Sequence, residues 1–314
     1  MRSLYPTPIK IDLLSTYFFP LMKFSFRMTS MLTLCGAALL GSTISARAGD
    51  GSFKGEIGLQ LYSLRNEAAK DGAAKALDLA KSFGLHEMEL AGTYGMFPDD
   101  FLGELKKRDL TAISAHFPYI RWKNDLDNVV KEAVALKLKY AGCAWIDHVG
   151  KFSEYSCQDA ADTFNKAGEA LAKHGIKFFY HTHGYEFEPT KDGETLFDTL
   201  MQKTKPEFVS FQMDVFWIVY PGQDPVKLLE KYPTRFRLMH LKDMQKDVKL
   251  GNLDGGKSLP KTADVTIGTG QIQFGPLLKT AEKIGIEHYF IEDESPTSVE
   301  QIPNSIKYLK ALKW

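Results

Sequence analysis

The apolar positions of this chain alternate between two rhythms. Short runs such as Ile57-Gly58-Leu59-Gln60-Leu61-Tyr62, Ala112-Ile113-Ser114-Ala115-His116 and Phe208-Val209-Ser210-Phe211-Gln212-Met213-Asp214 read as buried strands. Between such runs, apolar residues recur three or four positions apart, as at Ala73, Leu77, Ala80 and Phe83. That spacing predicts helices, and glycines such as Gly84 and Gly175 stop them. Further strands are predicted at 87–91, 140–145, 236–241 and 288–292, and one that begins at Phe178. Asp224-Pro225 marks a helix start, with Asp as cap and Pro in the first turn. Thr297 with Glu300 has the spacing of a capping box.

Eight strands thus alternate with eight helices, which argues for parallel strands in an α/β fold. Eight units in about 260 residues match a closed (β/α)8 barrel in a single domain. An open doubly wound sheet would want a glycine-rich turn after its first strand, and Gln60-Leu61-Tyr62-Ser63-Leu64-Arg65 has none. The barrel is expected over residues 54–314. Residues 1–48 are expected to lie outside it. Met22 to Arg27 is a short basic lead, Met31 to Ile44 is apolar and small, and Ala46-Arg47-Ala48 is a cleavage signal. This layout predicts a signal peptide cleaved near Ala48 and an exported, periplasmic or secreted product without a stable membrane anchor. The prolines before Met22 predict that translation truly starts at Met22 or Met28.

The formal net charge is zero, so nothing global favours nucleic acid or an anionic membrane. Cys143 and Cys157 are expected to be free thiols, and no Cys-x-x-Cys points to a thiolate zinc site. The chemistry concentrates where the strands end, and a barrel of this kind builds its active site at the C-terminal ends of its strands. Those ends carry Gln60, Tyr62 and Arg65; Glu89; His116; His181, His183 and Glu186; Asp214 and Trp217; His240, Lys242 and Asp243; and Glu292, Asp293 and Glu294. His181 and His183, two apart in a strand, would share one face. Each residue alone has a bland reading as core histidine, packing tryptophan or solvated carboxylate. Together they converge on one mouth, with the oxygen and imidazole donors that suit Mn, Mg, Zn, Fe or Co.

The segments Tyr180-His181-Thr182-His183-Gly184-Tyr185-Glu186-Phe187, Met213-Asp214-Val215-Phe216-Trp217, His240-Leu241-Lys242-Asp243, Gly268-Thr269-Gly270-Gln271-Ile272 and Ile291-Glu292-Asp293-Glu294 occur in an order that resembles the xylose isomerase-like barrels. Members of that family are described broadly as sugar phosphate isomerases/epimerases. The resemblance runs from about Glu56 to Trp314. It implies one divalent ion (Mn, Mg, Zn or Co) held by Asp214, His240, Glu292 and a fourth ligand from the fifth strand. Many relatives have Glu in that fourth place; here the matching residue is His181, with Glu186 further along the loop. The resemblance implies catalytic roles for His183, Glu292, Glu186 and Lys242, and substrate contacts from Arg65, Glu89, His116, Trp217 and Glu294. The implied activity is isomerisation or epimerisation of a free or keto sugar through an enediolate. β-Elimination from a 3-keto-glycoside and a non-catalytic sugar-binding barrel are the alternatives. A third branch, endonucleases that cut DNA at abasic sites, conflicts with the neutral charge. The expected partner is a small carbohydrate, and a homo-oligomer is compatible with the sequence.

Overall fold

The computed structural model describes residues 51–314. The expected signal peptide and start site therefore fall outside the described residues. Eight parallel strands close into a barrel: β1 (Ile57–Gln60), β2 (Glu87–Leu90), β3 (Thr111–His116), β4 (Tyr140–Cys143), β5 (Lys177–His181), β6 (Val209–Asp214), β7 (Phe236–Leu241) and β8 (His288–Ile291). They pair in sequence order, and β1 closes the ring by pairing with both β2 and β8. The strands are near-continuous apolar runs because both faces are covered. Helices pack outside, and side chains fill the inside.

The inner plug is small and aromatic. Ile113, Tyr140, Phe179, Leu238 and Phe290 form a separate buried cluster inside the barrel. Each large apolar side chain buried here contributes about 1.5–3 kcal/mol. Gly142 makes room for this layer, since a Cβ there would sit 2.5–2.6 Å from the Phe179 carbonyl and ring. With the interior filled at this level, polar residues one step further along the same strands face upward into the mouth. Gln212 and Asp214 on β6 are one such pair, and Leu238 and His240 on β7 mark the change from plug to polar layer.

Expected and observed elements differ mainly at their ends. β1 stops at Gln60, and Leu61–Leu64 turn into a 3-10 helix whose second N–H is capped by the Gln60 side chain (Tyr62 N to Gln60 Oε1, 3.0 Å). Asp224 caps the helix Pro225–Lys231 as expected. The Thr297 capping box does not form. Thr297 makes no cap hydrogen bond, and its hydroxyl accepts from Gln301 Nε2 at 2.8 Å instead. Cys143 and Cys157 are buried free thiols. Among the described residues, no helix is long and apolar enough to cross a membrane.

The polar loop after β7 is ordered by one carboxylate. Asp243 Oδ2 accepts from the backbone N–H of Gly268 and Gly270 (2.9 Å each), and Oδ1 from those of Met244 and Ile272. Gly270 is required here, because any Cβ would collide with the Met244 carbonyl and the Asp243 carboxylate. Asp243–Met244 and Asp264–Val265 pair as a short antiparallel ribbon. Between them the loop lies over the mouth. A Cβ on Gly256 would come within 2.5 Å of Trp217, and one on Gly255 within 3.0 Å of Trp145.

Candidate metal and substrate site

His181 and Asp214 end β5 and β6, His240 is the second-to-last residue of β7, and Glu292 directly follows β8. They converge with one donor atom from each within 4.8 Å of the others. His240 Nδ1 lies 3.1 Å from Glu292 Oε2 and 3.6 Å from Asp214 Oδ2, and His181 Nε2 lies 3.9 Å from Asp214 Oδ2. Asp214 is divided between two tasks. Its Oδ1 caps the short helix Val215–Val219 through Phe216 N (2.9 Å) and Trp217 N (3.2 Å). Its Oδ2 is buried without a hydrogen-bond partner. A buried carboxylate oxygen left unpaired is costly unless something cationic meets it. Together with the imidazole nitrogens of His181 and His240 and the Glu292 carboxylate, that oxygen could hold a divalent metal ion, and the nitrogen–oxygen donor set fits one.

A buried network beneath the four orients them. Glu89 is fully enclosed and accepts from Gln60 Nε2 (2.8 Å), Gln212 Nε2 (2.8 Å), Ser114 Oγ (2.6 Å) and His240 Nε2. Gln212 Nε2 donates to Glu89, so its Oε1 must accept. It does so from His181 Nδ1 at 3.1 Å and His116 Nε2 at 3.0 Å. That arrangement leaves His181 Nε2 and His240 Nδ1 facing the cluster. Burial alone would raise the Glu89 carboxyl, but His116 and His240 outweigh it and hold it at about 2. Burial likewise opposes charge on His240, yet Glu89, Glu292 and Asp214 hold its pKa well above the ordinary histidine value. An incoming cation would therefore displace a proton from His240.

The expected substrate contact from Glu89 is overturned by this geometry. It sits below the cluster, with no exposed surface and four donors already on it. Glu186 also lies elsewhere than expected. Gly184, at φ 92°, starts a 3-10 turn that sends Glu186 behind the strand. There Glu186 Oε1 accepts from Tyr180 O–H and from His183 N (2.9 Å) and is fully buried. It props the loop that carries His183 and does not line the mouth. Arg65 donates to the carbonyls of Tyr62 (3.0 Å) and Glu294 (2.9 Å) and stacks on Tyr62, so it fixes the Glu294 loop.

Burial pushes the Glu186 carboxyl up to about 7, against the lowering effect of its Tyr180 and backbone hydrogen bonds. The folded protein therefore holds this proton between pH 4.5 and 7 while the unfolded chain releases it. Stability is lost as pH rises through that window and the loss is complete above it, at about 3 kcal/mol. Glu186→Gln should remove this slope and raise Tm at pH 8 by roughly 6–12 °C, with little change at pH 4.5. Thermal melts across that range check it. An unchanged pH slope in the variant would show that Glu186 is not the group responsible.

His183 and Trp217 form a stacked pair, with ring centroids 4.5 Å apart and planes 19° off parallel. The His183 ring lies 5.7 Å from that of His181, next to the cluster but outside it. Burial, offset in part by Glu294, lowers its pKa to about 4, so it is a neutral imidazole at pH 7. Its Nδ1 is buried and unpaired, as is Trp217 Nε1. Lys242 is 1 % exposed and donates to Glu292 (3.4 Å) and Glu294. Burial opposes its charge, but Asp264, Glu292 and Glu294 keep it protonated.

A cavity of ≈ 480 Å³ opens over the cluster, bounded by His116, His181, His183, Glu292 and Glu294 and by the apolar walls of Tyr62, Phe117 and Trp145. Among the described residues, no Lys or Arg lines it. Gln212 and Ser114 beneath the cluster and Trp145 on the cavity wall are positions that sequence reasoning passed over. Gln212 carried a signal: a polar residue in an apolar strand, two before Asp214 and thus on its face.

The model of the family described as xylose isomerase-like TIM barrel matches residues 77–312. An inosose dehydratase from Clostridium perfringens is 30% identical over 173 residues, covering 52% of this chain and 57% of the relative. Another, from Mesomycoplasma hyopneumoniae, is 30% identical over 237 residues, covering 64% and 76%. The chain thus spans little more than half the length of the first of these relatives. A solved sugar phosphate isomerase/epimerase from Parabacteroides distasonis superposes with a TM-score of 0.66 at 25% identity, over 85% of this chain and 96% of that one. A D-allulose 3-epimerase from Methylomonas shares the fold, with a TM-score of 0.62 at 12% identity over 82% and 99%.

Proposed function

The chain belongs to the xylose isomerase-like TIM barrel family, and on that premise we propose that it is a divalent-metal-dependent enzyme that removes a proton beside the carbonyl of an unphosphorylated sugar or keto sugar and returns it elsewhere, as an isomerase or epimerase. The observation that carries this reading is the four-residue cluster around the unpaired Asp214 Oδ2. A divalent ion held by His181, Asp214, His240 and Glu292 would polarise the carbonyl and the neighbouring hydroxyl and offset the charge left by proton loss. The side chains around the cluster supply the rest. Neutral His183, with Nδ1 unpaired, takes or gives the proton at that nitrogen. Charged Lys242, buried behind the cavity wall, fixes the carboxylates of Glu292 and Glu294. His116 and Glu294 face the hydroxyl-bearing edge, while Tyr62, Phe117 and Trp145 cover the apolar ring face.

The cavity lining supports an unphosphorylated substrate. A phosphate would meet Asp147, Glu292 and Glu294 and no lining Lys or Arg. Export of the protein after cleavage near Ala48 belongs to the same proposal and rests on the residue pattern of 22–48. Dehydration is a second reading, favoured by the name shared by the matching relatives, inosose dehydratase. In it the same carbanion expels a β-hydroxyl, with a protonated group at the rim completing the loss of water.

The test is proton exchange. Metal-loaded protein is incubated in heavy water with free aldoses, ketoses, inososes and 3-keto-glycosides, followed by NMR. Metal-dependent deuterium uptake next to a carbonyl is expected, and a new alkene or a changed stereocentre separates elimination from epimerisation. No uptake by fully loaded protein would refute the enzyme and leave a binding barrel. His183→Ala should slow uptake by about 10²–10⁴-fold while the ion is retained; unchanged uptake would remove His183 from the proton-transfer role.

A further inference from the structure

Beside the reaction cavity lies a recess of ≈ 370 Å³ that none of the chemistry above uses. We propose that it is a second ring-binding subsite, and that the substrate is a glycoside whose distal ring, a sugar or an aromatic aglycone, sits there. The inference rests on the reading that the adjoining cavity acts on sugars.

Three observations support it. The two spaces share a wall, because Trp145 lines both. The Trp145 ring also meets that of His183 edge-on at 4.9 Å, so the recess begins one indole away from the group assigned to proton transfer. The floor is aromatic. Trp145 and His148 stack at 5.3 Å with planes 22° apart, and Tyr185 lies 4.6 Å from each. The rim carries charges of both signs. Lys151 pairs with Glu188 at 3.3 Å, and Asp254 and Lys257 face them from the loop after β7. An apolar floor suits the C–H face of a pyranose or the face of an aryl group, and a mixed polar rim suits hydroxyls around its edge. Each space lies near the lower end of the roughly 300–1,000 Å³ of ligand sites, about the size for a single ring. The loop wall is built rather than slack. Asp254 accepts from Tyr220 O–H (3.1 Å) and from the N–H groups of Gly256 (2.9 Å) and Ser258 (3.0 Å), and Gly251 N donates to the Tyr220 carbonyl.

Calorimetric binding to the metal-loaded full chain tests this, with methyl β-glucoside as the one-ring probe and cellobiose, maltose and phenyl β-glucoside as two-ring probes. At least one two-ring probe is expected to bind ten-fold or more tightly than methyl glucoside. Preference for the disaccharides identifies a sugar ring as occupant, and preference for the phenyl compound an aryl aglycone. His148→Ala and Lys257→Glu should each cut the preference to about two-fold or less and leave methyl glucoside binding unchanged. Lys257 is exposed, so its variant reports even where removal of His148 disturbs the loop. Equal binding of one- and two-ring probes, or a preference that survives both variants, overturns the subsite. Deuterium exchange is read separately. Exchange without two-ring preference sinks the subsite alone, whereas two-ring preference without exchange sinks only the proposed chemistry.

Discussion

If the cluster holds a divalent ion as proposed, Asp214→Asn should cost the protein that ion and its turnover together while leaving the fold in place. The asparagine Oδ1 can keep accepting from Phe216 N and Trp217 N, so the helix Val215–Val219 stays capped. What changes is the second atom. A neutral N–H₂ donor would replace the unpaired Oδ2, directed at His240 Nδ1 3.6 Å away and at the place a cation would occupy. The expected result is that wild type retains about one divalent ion per chain on dialysis while the variant does not, with a fall in turnover of at least about 10²–10³-fold. Asp214→Ala should show the same loss of ion plus a stability cost from the missing cap, about 0.5–2 kcal/mol, or a few degrees in Tm. Elemental analysis, initial rates and melts of the two variants with and without chelator separate the effects. An Asp214→Asn protein that keeps both its ion and its rate would end the metal-centre assignment.

The barrel was legible in the sequence because its signal is redundant. Eight apolar strands alternate with helices of period 3.6, and an error of two residues at one boundary leaves the topology intact. The site was legible only as far as residue type and strand end determine it. Asp214, His240 and Glu292 meet because parallel strands of one barrel end on the same side. The depth of Glu89 was not legible. Its strand shifts register against β3 between Met88 and Glu89, and the carboxylate lands among side chains below the mouth. Glu186 depended on a single glycine. Position in sequence places it after the strand, but the positive φ of Gly184 turns it to the outer face, against Tyr180. Thr297 has the spacing of a capping residue, yet its backbone (φ −113°, ψ 22°) lies outside the extended region that a capping box needs. These misses have a common physical cause: side-chain direction at the end of an element follows from one or two backbone angles that no periodicity encodes.

The same buried depth makes Glu89 the second position of large effect. Glu89→Ala would strand Gln60 Nε2, Gln212 Nε2, Ser114 Oγ and His240 Nε2 without their common acceptor. Removing one partner of a buried charged pair costs about 3–5 kcal/mol, which for a domain of this size lowers Tm by roughly 6–20 °C. Glu89→Gln is the more informative change. It keeps the volume and one acceptor oxygen but removes the charge that holds the His240 ring from behind, so ion affinity should fall by about 10–100-fold with every first-line ligand still present. The effect should not be reproduced by acid in the native protein. His116 and His240 hold the Glu89 carboxyl at about 2 against the opposing effect of burial, so it stays ionised at pH 4, and its contribution to stability is lost only as pH falls from the ordinary 4.5 through about 2. Competition titrations with a chromophoric chelator at pH 5, 6.5 and 8 provide the check. A difference that widens from pH 5 to pH 8 is expected, because Glu89 helps hold His240 protonated and wild type therefore loses more affinity to proton competition in acid than the variant does. Equal affinities would mean that His240 is oriented by its strand alone and that the carboxylate beneath it contributes to folding and not to the site.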